Sequence, residues 1–111
     1  MDIRATMQAD LKTAMSARDR TTIAVLRTTL AALSNAEAVS ADGSAPAIGT
    51  FANEVDRKVL DDAEVRAIIE RERAELTASA AEYDSVGQGD EAEGLRRQVA
   101  VLDRYLADTT T

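Results

Sequence analysis

Apolar side chains recur every three or four residues along the first third of the chain, which is the spacing of one helical face. One stripe begins at Ile3, and a second stripe ends at Leu33 after a short polar interruption. The second stripe alternates by three and four, which makes a narrow seam suited to an antiparallel neighbour. The pattern therefore predicts a helical hairpin over residues 1–37, with its tip near Ala17 and Arg18.

Residues 38–60 separate this hairpin from the rest of the chain. They contain the only proline and two of the five glycines, and such clusters are typical of loops. We therefore predict a linker there. Phe51, Val55 and Val59 recur within it at a spacing of four, which fits either a short helix or an extended segment.

The second half of the chain carries two helix start patterns. Asp61 can accept hydrogen bonds from the first-turn N–H groups while Glu64 reaches back to the backbone, which is a capping box. An apolar face follows, and Gly87 is placed to end the helix. A second capping pattern at Asp90 precedes another three-four seam that ends at Leu106.

These patterns together predict an all-α fold. It consists of an N-terminal helical hairpin plus two longer antiparallel helices, about four helices in one bundle-like domain. The predicted segments of this single domain are the hairpin 1–37, the linker 38–60, the helix pair 61–106 and a frayed tail 107–111. Nowhere do about 18 apolar residues run together, and no secretory signal precedes the first helix. We therefore expect a cytoplasmic protein with no membrane partner.

Composition narrows the chemistry that the chain can perform. Thirteen basic and 20 acidic residues give a net charge of −7, and both His and Cys are absent. The charge excludes a generally basic nucleic-acid binder, although a local basic patch remains open. The absent residue types exclude disulfides, ordinary zinc sites, cysteine nucleophiles and Ser-His-Asp triads. We therefore predict no catalytic residue, no metal and no cofactor.

The net charge is unevenly distributed along the chain. Residues 1–37 hold five basic and four acidic groups, whereas residues 61–86 hold three basic and eight acidic groups. The candidate residues for contact with RNA or another partner therefore lie in the hairpin, and they are Lys12, Arg18, Arg20 and Arg27. Arg20 and Arg27 are two helical turns apart and so share a face. We expect an RNA or an acidic protein to dock there, away from the acidic helix; the alternative is an ordinary solvated surface.

Two of the three aromatic residues lie in the predicted helix pair. Tyr83 closes the apolar face of its first helix, and Tyr105 lies beside the last seam residue of the second. Stacking on a nucleic-acid base is one role for such side chains. Packing at the ends of an otherwise aliphatic bundle is the interpretation that we favour.

Three blocks of sequence stand out by their order and separation. They are Arg18-Asp19-Arg20 with Ile23-Ala24-Val25-Leu26-Arg27, Leu60-Asp61-Asp62-Ala63-Glu64-Val65 with Ile68-Ile69, and Glu82-Tyr83 with Val101-Leu102-Asp103-Arg104-Tyr105-Leu106. In this arrangement they resemble the GatB/YqeY family over essentially the whole chain outside residues 40–59. That family follows this helical domain with a smaller helical tail domain entered through a proline. Because Ala107 follows Leu106 here, we expect the chain to lack that tail.

The resemblance carries an implied function. In the B subunit of tRNA-dependent amidotransferases, the related C-terminal region helps to recognise tRNA and performs no catalysis. The resemblance thus implies a non-catalytic helical module that binds tRNA or a tRNA-handling protein, and we expect a monomer. The alternatives are an accessory part of a carbon–nitrogen ligase with glutamine as amido-N-donor, and a purely protein-binding helical module.

Overall fold

The computed structural model describes residues 2–42 and 59–107 of the chain. These ranges contain four helices and no strand, and the helices are α1 (Ile3–Ala17), α2 (Arg20–Asp42), α3 (Asp62–Ser85) and α4 (Gly89–Ala107). The all-α prediction of a hairpin followed by a helix pair is confirmed. None of these four helices combines the length and the apolar character needed to cross a membrane. Most of the predicted linker, and the predicted tail beyond residue 107, lie outside the described residues.

The hairpin turns within two residues, close to the predicted tip. α1 ends at Ala17, and Arg18 adopts the left-handed conformation with φ 58° and ψ 38°. The N–H of Arg18 donates to the carbonyl of Met15 at 3.2 Å, and the N–H of Asp19 donates to the carbonyl of Ala14 at 2.9 Å. This pair of bonds is the Schellman motif, in which a left-handed residue satisfies the last helical carbonyls. A glycine usually occupies that position, and here it is an arginine.

The end of α2 differs from the prediction. The apolar stripe ends at Leu33, and the hairpin was therefore predicted to end at residue 37, whereas α2 continues to Asp42. The five additional residues, 38–42, include two alanines and precede Gly43. Alanine has the highest intrinsic helix propensity, so the helix continues beyond the residues that its stripe requires. The predicted linker thus begins about five residues too early.

The predicted boundaries of α3 agree with the structure in atomic detail. The N–H of Glu64 donates to Asp61 Oδ1 at 2.8 Å, and the N–H of Asp61 donates to Glu64 Oε1 at 2.9 Å. This confirms the capping box. Beyond the last turn, Gly87 has φ +79° and the N–H of Gln88 donates to the carbonyl of Tyr83 at 2.8 Å. No atom lies within 4 Å of where a Cβ on Gly87 would be, so the positive φ is what favours glycine there.

α3 and α4 run antiparallel and pack closely along their length. Two ion pairs join them, Arg73 with Asp103 near one end and Arg96 with Asp84 near the other. The side chains of both pairs remain roughly half exposed, so these pairs contribute little to stability.

The core is almost entirely aliphatic and lies between the hairpin and the helix pair. Its largest fully buried side chains come from all four helices and include Met7, Leu26, Leu33, Ile69 and Leu102. Leucine and methionine lose little side-chain rotamer freedom in a helix, so a helical chain with few aromatic residues can build its core from them.

The two tyrosines of the helix pair have different environments. Tyr105 is 7% exposed within the core cluster, which confirms the packing interpretation for that residue. The same interpretation is wrong for Tyr83, which is 42% exposed. All side chains from residue 81 to residue 91 are exposed, so the end of the helix pair that carries Tyr83 projects beyond the core.

Candidate functional site

The candidate site is built on the hairpin, where two of the four carboxylates cap helices. Asp2 accepts a hydrogen bond from the N–H of Ala5 at 3.1 Å at the start of α1. Asp19 accepts from the hydroxyl of Thr22 at 2.7 Å and from its N–H at 3.2 Å at the start of α2. These bonds lower the pKa of Asp19 because they stabilise its ionised form, and the bond from the Thr22 hydroxyl has the larger effect.

The other two hairpin carboxylates contact groups that are distant in sequence. Glu37 Oε2 lies 2.8 Å from Arg4 Nη1, whose second nitrogen Nη2 donates to Ser34 Oγ at 3.0 Å. Asp10 accepts a hydrogen bond from the hydroxyl of buried Tyr105, which ties α4 to α1. All four carboxylates of residues 1–37, together with Arg4, are therefore already engaged within the fold.

The four basic residues predicted as a partner-binding set remain outside these contacts. Lys12, Arg18, Arg20 and Arg27 are all exposed, and none forms an ion pair with another residue of the described ranges. Arg20 and Arg27 lie on the side of α2 opposite its buried residues, as their spacing predicts. Arg27 Nη2 lies 3.9 Å from the sulfur of Met15, which is itself 46% exposed.

The structure does not bring all four basic side chains to one place. Lys12 lines a shallow depression on α1 together with Gln8 and Thr13. Arg20 lines a different cleft between α2 and the helix pair. Arg18 occupies the turn between α1 and α2, and Arg27 lies beside α1. The set is therefore distributed over separate parts of the hairpin surface.

The cleft that contains Arg20 has a volume of about 440 Å³ and opens to solvent. Residues from the start of α2, the end of α3 and the first turns of α4 line it, among them Arg20, Tyr83, Asp90, Glu91, Leu95 and Gln98. Arg20 therefore borders carboxylates of the helix pair, whereas docking of a partner away from the acidic helix stays a prediction. The hairpin tip and the turn between α3 and α4 lie at the same end of the molecule, so a residue of α3 and two carboxylates of α4 border this arginine.

Sequence reasoning missed that Tyr83 lines this cleft. Its place at the end of an apolar stripe favoured burial, but the stripe extends past the part of the helix pair that the hairpin covers. Asp90 and Glu91 were identified only as residues of a helix start. No sequence pattern indicates that they lie near Arg20, which is about 70 residues earlier in the chain.

The acidic surface of α3 shows one perturbed carboxyl group. Burial raises the pKa of Glu72, and the adjacent carboxylate of Glu75 raises it further. Both effects disfavour the ionised form. In residues 2–42 and 59–107 no group of three or more acidic side chains is arranged to hold a metal ion.

Comparison with known proteins agrees with the resemblance noted from the three sequence blocks. A family model described as Yqey-like protein matches residues 4–111. Searches among curated proteins and among solved structures found no match. Because the family match extends over nearly the whole of the 111 residues, the chain belongs to the YqeY-like protein family.

Proposed function

We propose that this protein is a non-catalytic helical module that binds tRNA through the basic residues of its hairpin. One observation carries the proposal: every carboxylate of residues 1–37 is engaged within the fold, and four of the five basic side chains form no ion pair with a described residue. Lys12, Arg18, Arg20 and Arg27 thus present positive charge that no described carboxylate pairs with. Phosphate contacts of this kind supply most of the affinity in non-specific RNA binding.

The family resemblance supplies tRNA as the class of RNA, because the related region of amidotransferase B subunits takes part in tRNA recognition. The chain's net charge of −7 opposes a polyanion at long range. With only about three or four phosphate contacts, we expect weak binding that falls steeply with salt, with a log–log slope of about −3. A tRNA-handling protein with an acidic segment is the alternative ligand for the same surface.

An electrophoretic shift assay with total tRNA at two salt concentrations tests the proposal. The unmodified protein should shift tRNA at low salt and lose most of the shift at the higher concentration. The double substitution Arg20→Glu and Arg27→Glu should abolish the shift and leave the helical circular dichroism unchanged, because both side chains are exposed.

A matched control separates this surface from the effect of net charge. Arg71→Glu with Arg97→Glu changes the charge by the same amount at two exposed arginines of the helix pair. This variant should weaken the shift much less than the hairpin variant does. Equal weakening by both variants would contradict the assignment of the hairpin as the site. The absence of any shift at low salt would overturn tRNA binding itself.

The proposal also predicts that the chain alone does not transfer amide nitrogen. A glutamine-dependent carbon–nitrogen ligase needs a nucleophile for glutamine and a site for ATP. We therefore expect no product when purified protein receives glutamine, ATP and misacylated tRNA. Turnover that stays with the chain through successive columns and changes with its point variants would contradict the non-catalytic assignment and favour a ligase.

A further inference from the structure

The cleft beside Arg20 contains opposite charges that form no ion pair with each other. Arg20, Asp90 and Glu91 all line it, yet no ion pair within 4 Å joins the arginine to either carboxylate. Tyr83 lines the same cleft with 42% of its surface exposed. The cleft therefore combines an accessible aromatic ring, an unpaired cation and unpaired hydrogen-bond acceptors.

We propose that this cleft binds one unpaired nucleotide of an RNA strand, and that the nucleotide's base carries an exocyclic amino group. In this assignment the base stacks on the ring of Tyr83, and Arg20 binds an adjacent phosphate. Asp90 and Glu91 accept hydrogen bonds from the amino group. The inference rests on the proposed function and specifies which part of an RNA the site recognises.

An unpaired nucleotide fits this cleft better than a double-stranded segment does. Bases within a duplex are stacked on both faces and cannot lie against a protein ring, whereas unpaired bases stack readily on aromatic side chains. The cleft is shallow and open to solvent, so a strand can pass over it with one base against the ring. Partly buried Leu95 adds apolar surface beside the ring.

The two carboxylates determine which base the cleft prefers. A carboxylate repels phosphate, but it accepts a hydrogen bond from the N4 amino group of cytosine or the N6 amino group of adenine. Each carboxylate can accept one of the two hydrogens of the cytosine amino group, whereas uracil has a carbonyl oxygen there and offers only its single N3–H as a donor. The cleft should therefore favour cytosine over uracil, two bases of nearly equal size.

Fluorescence anisotropy with labelled hexacytidylate and hexauridylate at low salt tests this preference on the full chain. Hexacytidylate should bind at least about fivefold more tightly, the lower end of what a good base contact provides. Asp90→Asn with Glu91→Gln should remove the preference, because an amide can donate to the uracil carbonyl as well as accept from the cytosine amino group. The lost negative charge should raise both affinities. Glu75→Gln with Glu82→Gln removes the same charge from exposed positions of α3 outside the cleft lining and should leave the ratio unchanged.

A second pair of variants tests the ring. Tyr83→Ala should lower the affinity for hexacytidylate about tenfold, as loss of one stacked base does. Val86→Ala removes another exposed apolar side chain of the same turn, 68% exposed and outside the cleft lining, and should have no effect. Every altered side chain is exposed, so all four variants should remain folded. Thermal melts check this.

The outcomes distinguish this inference from the proposed function. Equal binding of the two hexanucleotides would overturn the nucleotide assignment. It would also be overturned if double-stranded RNA displaced labelled hexacytidylate as well as unlabelled hexacytidylate does. If tRNA binding depends on Arg20 and Arg27 but is unaffected by Tyr83→Ala, the cleft assignment fails and the hairpin proposal stands. If neither tRNA nor any oligonucleotide binds, both fail, and a protein segment becomes the occupant to seek.

Discussion

Thr29 is a buried residue whose side chain the fold leaves unsatisfied. It is fully buried in α2 between the core residues Leu26 and Leu33, and its hydroxyl has no hydrogen-bond partner. Valine has nearly the same shape and replaces the hydroxyl with a methyl group. We therefore expect Thr29→Val to stabilise the protein.

The magnitude follows from the cost of an unsatisfied hydroxyl. Leaving a buried donor or acceptor without a partner costs about 1–3 kcal/mol, and the substitution removes that cost. Threonine and valine have similar helix propensities, so the backbone contributes little to the difference. We expect a gain of about 1–2 kcal/mol in the free energy of unfolding. For a domain of this size each 1 kcal/mol raises Tm by about 4 °C.

Urea and thermal unfolding followed by circular dichroism measure this gain, with two controls on the same helix. Thr22→Val should destabilise, because that hydroxyl donates to Asp19 at 2.7 Å. Thr28→Val is exposed and should change little. The same substitution at three positions thus has three expected results. A loss of stability for Thr29→Val would refute the reasoning, since it would mean that the hydroxyl is satisfied in the folded protein.

Three further predictions concern the helix ends and the acidic surface. Asp61→Ala should lower the free energy of unfolding by about 0.5–2 kcal/mol, measured by urea denaturation; an unchanged midpoint would contradict the role of the capping box. Arg18→Gly should raise stability by about 0.5–1 kcal/mol because glycine relieves the left-handed conformation, and the same variant should weaken the tRNA shift. Burial raises the pKa of Glu72 in the folded protein, so the folded state holds this proton to higher pH than the unfolded state does. The free energy of unfolding should therefore fall as the pH rises from the pKa of Glu72 in the unfolded chain through its raised pKa in the folded protein. Glu72→Gln should remove that part of the decline and stabilise the protein at neutral pH, whereas the exposed Glu70→Gln should not; parallel pH profiles for both variants would show that burial of Glu72 is not the cause.

Most of the secondary structure could be predicted from the sequence because local interactions determine it. The capping box joins Asp61 and Glu64, which are three positions apart, and the positive φ of Gly87 ends the preceding helix. Both depend on groups that neighbour each other in the chain. The end of α2 was one exception, because an apolar stripe reports where a helix packs and not how far its propensity extends it. The start of α4 was another, since the helix begins at Gly89 and Asp90 lies in its first turn instead of capping it.

The candidate site could be predicted only in part. The positive balance of the hairpin and the four exposed basic residues follow from residue types and spacing. That these residues lack partners depends on where the hairpin's carboxylates go, and Asp10 is engaged by a tyrosine 95 residues away. No sequence pattern indicates such a contact.

The amino-acid sequence by itself thus determined the helices, the aliphatic core and the segment that carries positive charge, because each depends on local spacing and composition. Only the tertiary structure decided that Tyr83 is exposed and that Arg20 shares a cleft with Asp90 and Glu91. The physical reason is that the hairpin covers only part of the helix pair. Beyond the part that the hairpin covers, Tyr83 faces solvent although it lies on an apolar stripe, and residues of α2, α3 and α4 line one cleft.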